Sequence, residues 1–422
     1  LVVEHAQGNP FFVEEILRSF LEDNVLVLDP TSGRWRVTRV VADVKVPTTV
    51  QDVLAARLDR LSHGDKQIVQ HAAIIGRTFW QRLLAEIVAP THDRQSLEVV
   101  ETALEGLEAR QFVARLGESQ IAHDWEWVFQ HVLIQEVAYA GVLKAVRRRV
   151  HRQVAQWLEA HVCERTGFLI PLIAYHYERG DVPAKAVEYL RRAGGQAAAQ
   201  FANADAVSYF SRAVALLEQV DDSPVPVRQQ HYALLLGREG VYGLLGEREA
   251  QTADLAQLQA LADEMDDDRR RAEVALRHAA YNEAIGDFPA ALVAAQAAIL
   301  SAERAGDGHH ALTGRIAWGR ALWWQGNLEH SHQRLEEALA LAREQGDVQG
   351  EAASLHYLGT VLYFLGDCHS ARDHLEKALS LRRALADRRG EATSLGNLVA
   401  VYDGLGDLAR GKTCSQRALE IA

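Results

Sequence analysis

The stretch Gly406-Asp407-Leu408-Ala409-Arg410-Gly411-Lys412-Thr413 satisfies the spacing Gly-x-x-x-x-Gly-Lys-Thr, in which backbone N–H groups and a lysine cradle phosphates and a hydroxyl holds magnesium. That chemistry needs a buried strand before the loop and a sheet domain behind it, and only nine residues follow Thr413. Gly406 is also the fifth glycine of a series at 246, 286, 326, 366 and 406, so the motif belongs to a repeat and not to a nucleotide site. Two further segments carry groups suited to polar chemistry. Asn9-Pro10 reads as a cap followed by a first-turn proline. His131 stands where a strand gives way to a helix; imidazole donates or accepts and titrates near neutrality, and taken alone His131 reads as a satisfied histidine at a helix start. Arg147, Arg148, Arg149 and Arg152 beside His151 make the densest basic cluster, read as a solvated or docking face. His330, His332, Cys368, His369 and His374 match no zinc spacing, and no metal site is expected. No Gly-x-Ser-x-Gly elbow or His-Glu-x-x-His motif is present, so no catalytic residue is assigned.

The elements that position these groups follow from the 40-residue glycine spacing. Leu355, Leu358, Gly359 and Leu362 precede Gly366, and Ala371, Leu375 and Ala378 follow it. The same offsets give Trp318, Gly319, Leu322, Ser331, Leu335 and Ala338 around Gly326. A first helix ends at a glycine free to take the left-handed conformation, and Asp287, Asp367 or Asp407 beside it caps a second helix. One hairpin cannot bury its own apolar face, so neighbours stack. These offsets resemble the tetratricopeptide repeat, lengthened from about 34 residues to 40. The resemblance implies an inner groove holding Arg320, Trp323 and Trp324 from one copy and His356, Tyr363 and Phe364 from the next. Aromatic rings beside polar groups suit a peptide, a protein segment or a small effector; the alternative is packing between successive first helices.

The 422 residues leave room for further domains upstream. Residues 11–23 read as an amphipathic helix, 25–28 and 34–38 as short strands, then helices to about 61, over 65–75, 79–88 and 95–110, and a strand pair at 112–116 and 125–130. Helices followed by a ribbon suggest a winged-helix unit. The expected fold is mainly α: a winged-helix-like N-terminal region, then a tetratricopeptide-repeat α-solenoid. The expected division is 1–61, the end of an ATPase helical domain with a short hairpin; 62–143, the winged-helix-like domain; 144–227, linking helices and irregular repeats; and 228–422, the 40-residue-period solenoid. The stretch 221–227 reads as an internal break. Cys163, Cys368 and Cys414 are scattered and odd in number, which argues against a disulfide framework and for a reducing, cytoplasmic setting. No apolar run approaches the ~20 residues that span a bilayer. The net charge of −12 opposes nucleic-acid binding by the chain as a whole. With Met only at 265, the chain reads as a piece of a longer protein.

Gly8-Asn9-Pro10-Phe11-Phe12-Val13-Glu14-Glu15 resembles the Gly-x-Pro motif of the signal-transduction ATPases with numerous domains, the STAND class. Phe129-Gln130-His131-Val132-Leu133-Ile134-Gln135-Glu136 resembles the segment where that class carries a winged-helix histidine. The resemblance covers most of 1–165. It implies that Pro10 packs against a nucleotide base, that His131 reaches the β-phosphate of ADP, and that the P-loop domain precedes Leu1. ADP or ATP is then expected only in the full-length parent, with none bound by this chain alone. The expected function is the regulatory and sensor portion of such an ATPase, coupling a ligand or partner on the repeats to an ADP/ATP switch. The alternative is a stand-alone tetratricopeptide-repeat scaffold that binds a protein partner.

Overall fold

The computed structural model describes residues 10–22, 25–28, 33–38, 49–88, 94–119, 124–161, 164–218 and 225–421. The chain is mainly helical and divides into two compact units, between Gln196 and Ala197. Gly8, Asn9, Cys163 and most of the expected 221–227 break lie outside the described residues.

The first unit begins with helix α1 (Pro10–Glu22), the hairpin β1 (Leu26–Leu28) and β2 (Trp35–Val37), and α2 (Val50–Asp59). Helices α3 (His63–Ile75), α4 (Gln81–Val88) and α5 (Arg94–Ala109) follow, with strand β3 (Thr78–Trp80) between the first two. Then come β4 (Val113–Glu118) and β5 (Trp125–Phe129), which form one antiparallel sheet with β3 in the order β3-β5-β4. The sequence reading expects a helix from 79; instead Thr78-Phe79-Trp80 pairs with Glu126–Val128 and the helix starts at Gln81. A β-branched residue and two aromatics favour a pleated, half-buried surface. Phe79 is buried against Phe129, 5.5 Å between centroids, and the Trp80 indole donates to Glu126 and Ser119. The unit continues through α6 (Val132–Ala140), α7 (Lys144–His161), a 3-10 turn (Glu164–Leu169), α8 (Ile170–Arg179) and α9 (Pro183–Ala199), the helix in which the two units divide.

The second unit is a stack of helical hairpins. It contains α10 (Asn203–Leu217), α11 (Val225–Leu245), α12 (Arg248–Glu264), α13 (Asp268–Ala284), α14 (Phe288–Arg304), α15 (Gly308–Trp324), α16 (Leu328–Gln345), α17 (Val348–Phe364), α18 (Cys368–Ala384), α19 (Arg388–Gly404) and α20 (Leu408–Ile421). Its turns recur twice as often as the glycine series. Gly286, Gly306, Gly326, Gly346, Gly366, Ala386 and Gly406 all hold positive φ, and each is followed by an aspartate or asparagine. Those carboxylates cap both helix types: Asp347 accepts from the Gly350 N–H at 2.7 Å, Asp367 from Ser370 at 3.0 Å and Asp387 from Gly390 at 2.9 Å. The unit of the fold is therefore a 20-residue helix and turn, and two make one 40-residue hairpin. Within a hairpin the backbones approach closely at glycine. A Cβ on Gly319 would lie 2.6 Å from Leu335 Cγ, and one on Gly359 would lie 2.7 Å from Leu375 Cγ and 3.0 Å from the Ala371 carbonyl. Leu335, Leu355, Leu358 and Leu375 are buried in that seam.

The turn at 386 breaks the glycine rule, since Ala386 holds φ +55°, a conformation that costs an L-residue about 1–2 kcal/mol. Ala386→Gly is expected to stabilise the chain by about 1 kcal/mol, whereas Gly359→Val overpacks the seam and lowers stability by about 1–3 kcal/mol. Chemical denaturation of the two variants checks both signs.

Candidate functional site

In the first unit, α1 starts at Pro10, whose missing N–H costs nothing at a helix N-terminus. Its apolar face, Phe12, Ile16 and Phe20, is buried. Glu15 fixes its position. The carboxylate is fully buried and pairs with Arg57 of α2, itself buried, while Arg18 donates to Glu15 at 2.7 Å. Arg57 also donates to the Arg110 carbonyl at 2.9 Å and lies 4.6 Å over the Phe112 ring. Together these contacts tie α1, α2 and the start of β4 to one another. The Phe112 carbonyl accepts the Gln130 N–H at 3.1 Å, one residue before His131.

His131 caps α6 with extended backbone, φ −137° and ψ 142°, and its Nδ1 accepts the Leu133 N–H at 3.2 Å. An acceptor Nδ1 places the proton of the neutral ring on Nε2, which is then a donor. The Phe11 ring stacks on this imidazole, 3.9 Å between centroids and 15° between planes. Phe11, the residue that follows Pro10, thus meets His131, 120 positions further along the chain. Phe11 and the Glu15–Arg57 pair are the parts of this site that periodicity does not reveal. The signal was present in the Phe-Phe and Glu-Glu doublets, of which one member each faces inward.

The arginine cluster after α6 is largely committed to helix ends. Arg147 donates to the Val142 and Ala140 carbonyls at 2.7 and 3.0 Å and lies over Tyr139; Arg152 donates to the Gly180 carbonyl at 3.1 Å. Beside it His151 is buried, with Tyr139 Oη at 3.1 Å and His176 at 2.9 Å. Burial, then Arg179 and Arg147, lowers His151 to about 4; burial, then His151, lowers His176 to about 3.

In the second unit, Trp323, Trp324, Tyr363 and Phe364 line one cleft of about 330 Å³, closed by Thr360, Leu375, Asn397, Ala400 and Val401. The rings form a chain: Phe288 stacks on Trp324 at 5.5 Å, Trp324 meets Trp323 at 4.4 Å, and Trp323 meets Phe364 at 5.8 Å. Position 404, the counterpart of Trp324 and Phe364 one repeat on, is glycine, and a Cβ there would stand 3.3 Å from Cys368 Sγ and 3.7 Å from the Tyr363 ring.

The other two expected groove residues lie elsewhere. Arg320 is held by Glu283, with Nε and Nη2 contacts of 2.9 and 2.7 Å, and donates to Tyr357 Oη at 3.1 Å. It bridges three successive first helices and presents no spare charge. His356 is 3% exposed, 3.3 Å from Ser394 Oγ, and burial with Arg382 nearby lowers it to about 3. It supports the cleft from behind. Thr360, Asn397, Ala400 and Val401 were missed, although 360 and 400 continue the 40-residue series from Arg320.

Lys412 lies on α20 behind the Gly406 turn, and Gly411 is buried beside Tyr402 in an all-helical setting. His330 bonds Asn327 at 2.7 Å and His374 bonds the Ser370 carbonyl at 2.8 Å. Among the described residues no group of three or more His, Cys, Asp or Glu is placed to hold a metal, and no helix is long and apolar enough to cross a membrane.

The lowered histidines make stability depend on pH. Each is neutral in the fold, so the unfolded chain binds the extra proton below its ordinary value of 6.5. The stabilisation is complete above pH 6.5 and is lost as pH falls toward 4 and 3. For His356 the loss at pH 5 is on the order of 2 kcal/mol. Denaturation midpoints at pH 7 and pH 5 are expected to differ more in the native chain than in His356→Asn.

Among solved structures, the chain resembles aspartyl phosphate phosphatase F of Bacillus subtilis at 12% identity and TM-score 0.48, over 86% of this chain and 94% of that one. BtubC of P. vanneervenii aligns at 18% identity and TM-score 0.44, over 51% of this chain and 89% of that one. A signal transduction ATPase with numerous domains, carrying a tetratricopeptide repeat sensor, from Pyrococcus horikoshii aligns at 14% identity and TM-score 0.43. That alignment covers all of this chain, which spans 62% of the length of the Pyrococcus protein. No curated protein sequence matches the chain. Residues 315–384 and 350–422 match the tetratricopeptide repeat family; the hairpins over that stretch are tetratricopeptide repeats, part of a tetratricopeptide-like helical solenoid.

Proposed function

We propose that this chain is the regulatory and sensor portion of a STAND-type signal-transduction ATPase, in which a protein or peptide on the repeat cleft biases an ADP/ATP switch. The observation that carries this reading is the stacking of Phe11 on His131, a contact between the start of α1 and the histidine segment. The order helix α3, strand β3, helices α4 and α5, hairpin β4–β5 is that expected of a winged helix, and supports the same assignment. The residues fit a nucleotide. Pro10 offers a flat apolar face without a competing N–H, and His131 offers an Nε2–H donor whose orientation Leu133 fixes from the other nitrogen. The nucleotide belongs to the parent protein, whose P-loop domain precedes this segment; this chain supplies contacts and no catalytic group.

As a switch, the parent must bind its ligands unequally in two states, and moving from about 1:99 to 99:1 takes ~5.5 kcal/mol of differential binding. Tetratricopeptide hairpins are suited to this because each contacts only its neighbours, so a ligand that bridges two of them alters their packing. The output comes from whatever effector the parent carries.

In the parent protein, His131→Ala is expected to speed ADP release by about 10- to 150-fold, the scale of one lost hydrogen bond to a charged group, and Pro10→Ala, which removes only an apolar contact, by less. Release of a fluorescent ADP analogue measures it. Unchanged rates in both variants remove the nucleotide from the reading and leave a protein-binding scaffold.

A further inference from the structure

The aromatic cleft contains one polar side chain whose orientation is fixed from behind. Thr360 donates its hydroxyl to the His356 carbonyl at 2.9 Å. Its oxygen is then an acceptor, and the Asn397 amide nitrogen donates to it at 2.8 Å. The second amide hydrogen faces His356 Nε2 at 3.5 Å. His356 is held by Ser394, which accepts from Arg382 at 2.6 Å. With its nitrogen engaged on this relay, Asn397 presents its carbonyl oxygen to the cleft it lines.

The remaining lining is uncharged. Neither nearby guanidinium lines the cleft: Arg320 is paired with Glu283 and bonds Tyr357, and Arg382 donates to Ser394 and the Gly390 carbonyl. A carboxylate entering here would meet an acceptor and no cation. A volume of about 330 Å³ lies at the small end of ligand pockets and suits a single ring system. Two of the lining rings are half open to water, Trp324 at 50% exposure and Phe364 at 56%, and a lone ring would leave part of that apolar surface uncovered.

Resting on the reading of this cleft as the ligand site of the repeats, we propose that it takes the tryptophan side chain of a peptide partner, its indole N–H donating to the Asn397 carbonyl oxygen. The ring lies among Trp323, Tyr363 and Phe364, and the flanking peptide covers Trp324. The selectivity is for a neutral donor and against an acidic residue or chain terminus, because Asn397 has its acceptor side outward.

Calorimetric titration of the whole chain with indole, with benzofuran, which replaces the N–H by an ether oxygen, and with N-acetyl-tryptophanamide tests this. Indole is expected to bind about 5- to 10-fold more tightly than benzofuran, the scale of one hydrogen bond, and N-acetyl-tryptophanamide more tightly than indole. Asn397→Leu erases the preference for indole; Ala400→Phe, which fills the cleft and leaves the relay intact, abolishes binding of all three. Equal affinities for indole and benzofuran overturn the donor assignment while leaving the cleft a ligand site. Weaker binding of N-acetyl-tryptophanamide than of indole overturns the peptide as its source. No binding of any ring by the native chain overturns the cleft itself.

Discussion

From residue 266 onward, a backbone turn that recurs every 20 residues governs the second unit: one left-handed residue, then an aspartate or asparagine, with aspartates accepting the N–H three positions on. The turn ends one helix and starts the next within two or three residues, so helices of 17 or 18 residues repeat with a constant 20-residue period. The constant period keeps equivalent side chains level across successive hairpins. Trp323 and Trp324 therefore face Tyr363 and Phe364, and Thr360 faces Asn397. The same constraint explains why glycine lines the seam at 319 and 359. Hairpins held this tightly leave no space for a Cβ opposite Leu335 and Leu375.

The first unit depends on a different device. Beside the buried apolar face of α1, Phe12, Ile16 and Phe20, the Glu15–Arg57 pair supplies a fixed polar point. Because Arg57 also reaches the Arg110 carbonyl and the Phe112 ring, the position of α1 is set by the same residues that begin β4. Phe11 is then held where its ring meets His131. Charge inside the protein does local positioning work here, and the cluster at 147–152 does similar work by closing helix ends.

Much of the helical architecture was legible from the chain alone. The 40-residue glycine series, the apolar offsets around Gly326 and Gly366, and the place of Gly406 within that series are all short-range arithmetic. The 20-residue half-period was also written there, in Asp307, Asp347 and Asp387, but the absence of glycine at 386 hid it. Strand β3 was harder: Phe79 and Trp80 satisfy a helical pattern as well as a strand, and only pairing with β5 decides between them. Four of the six expected groove residues line one cleft. Arg320 and His356 do not, because both carry polar groups whose burial is balanced by partners on other helices.

What the sequence determined by itself was periodicity: which faces are apolar, where helices end, and which residues recur at one level of the stack. Those properties depend on neighbours a few positions away, so the order of residues is enough to state them. Only the tertiary structure decided which groups are spent and which are left over. The stacking of Phe11 on His131 joins residues more than a hundred positions apart, and the outward carbonyl of Asn397 is fixed by Thr360 and His356 some 40 residues earlier. A side chain's free donor or acceptor is what remains after its partners are satisfied, and those partners are chosen by packing in three dimensions.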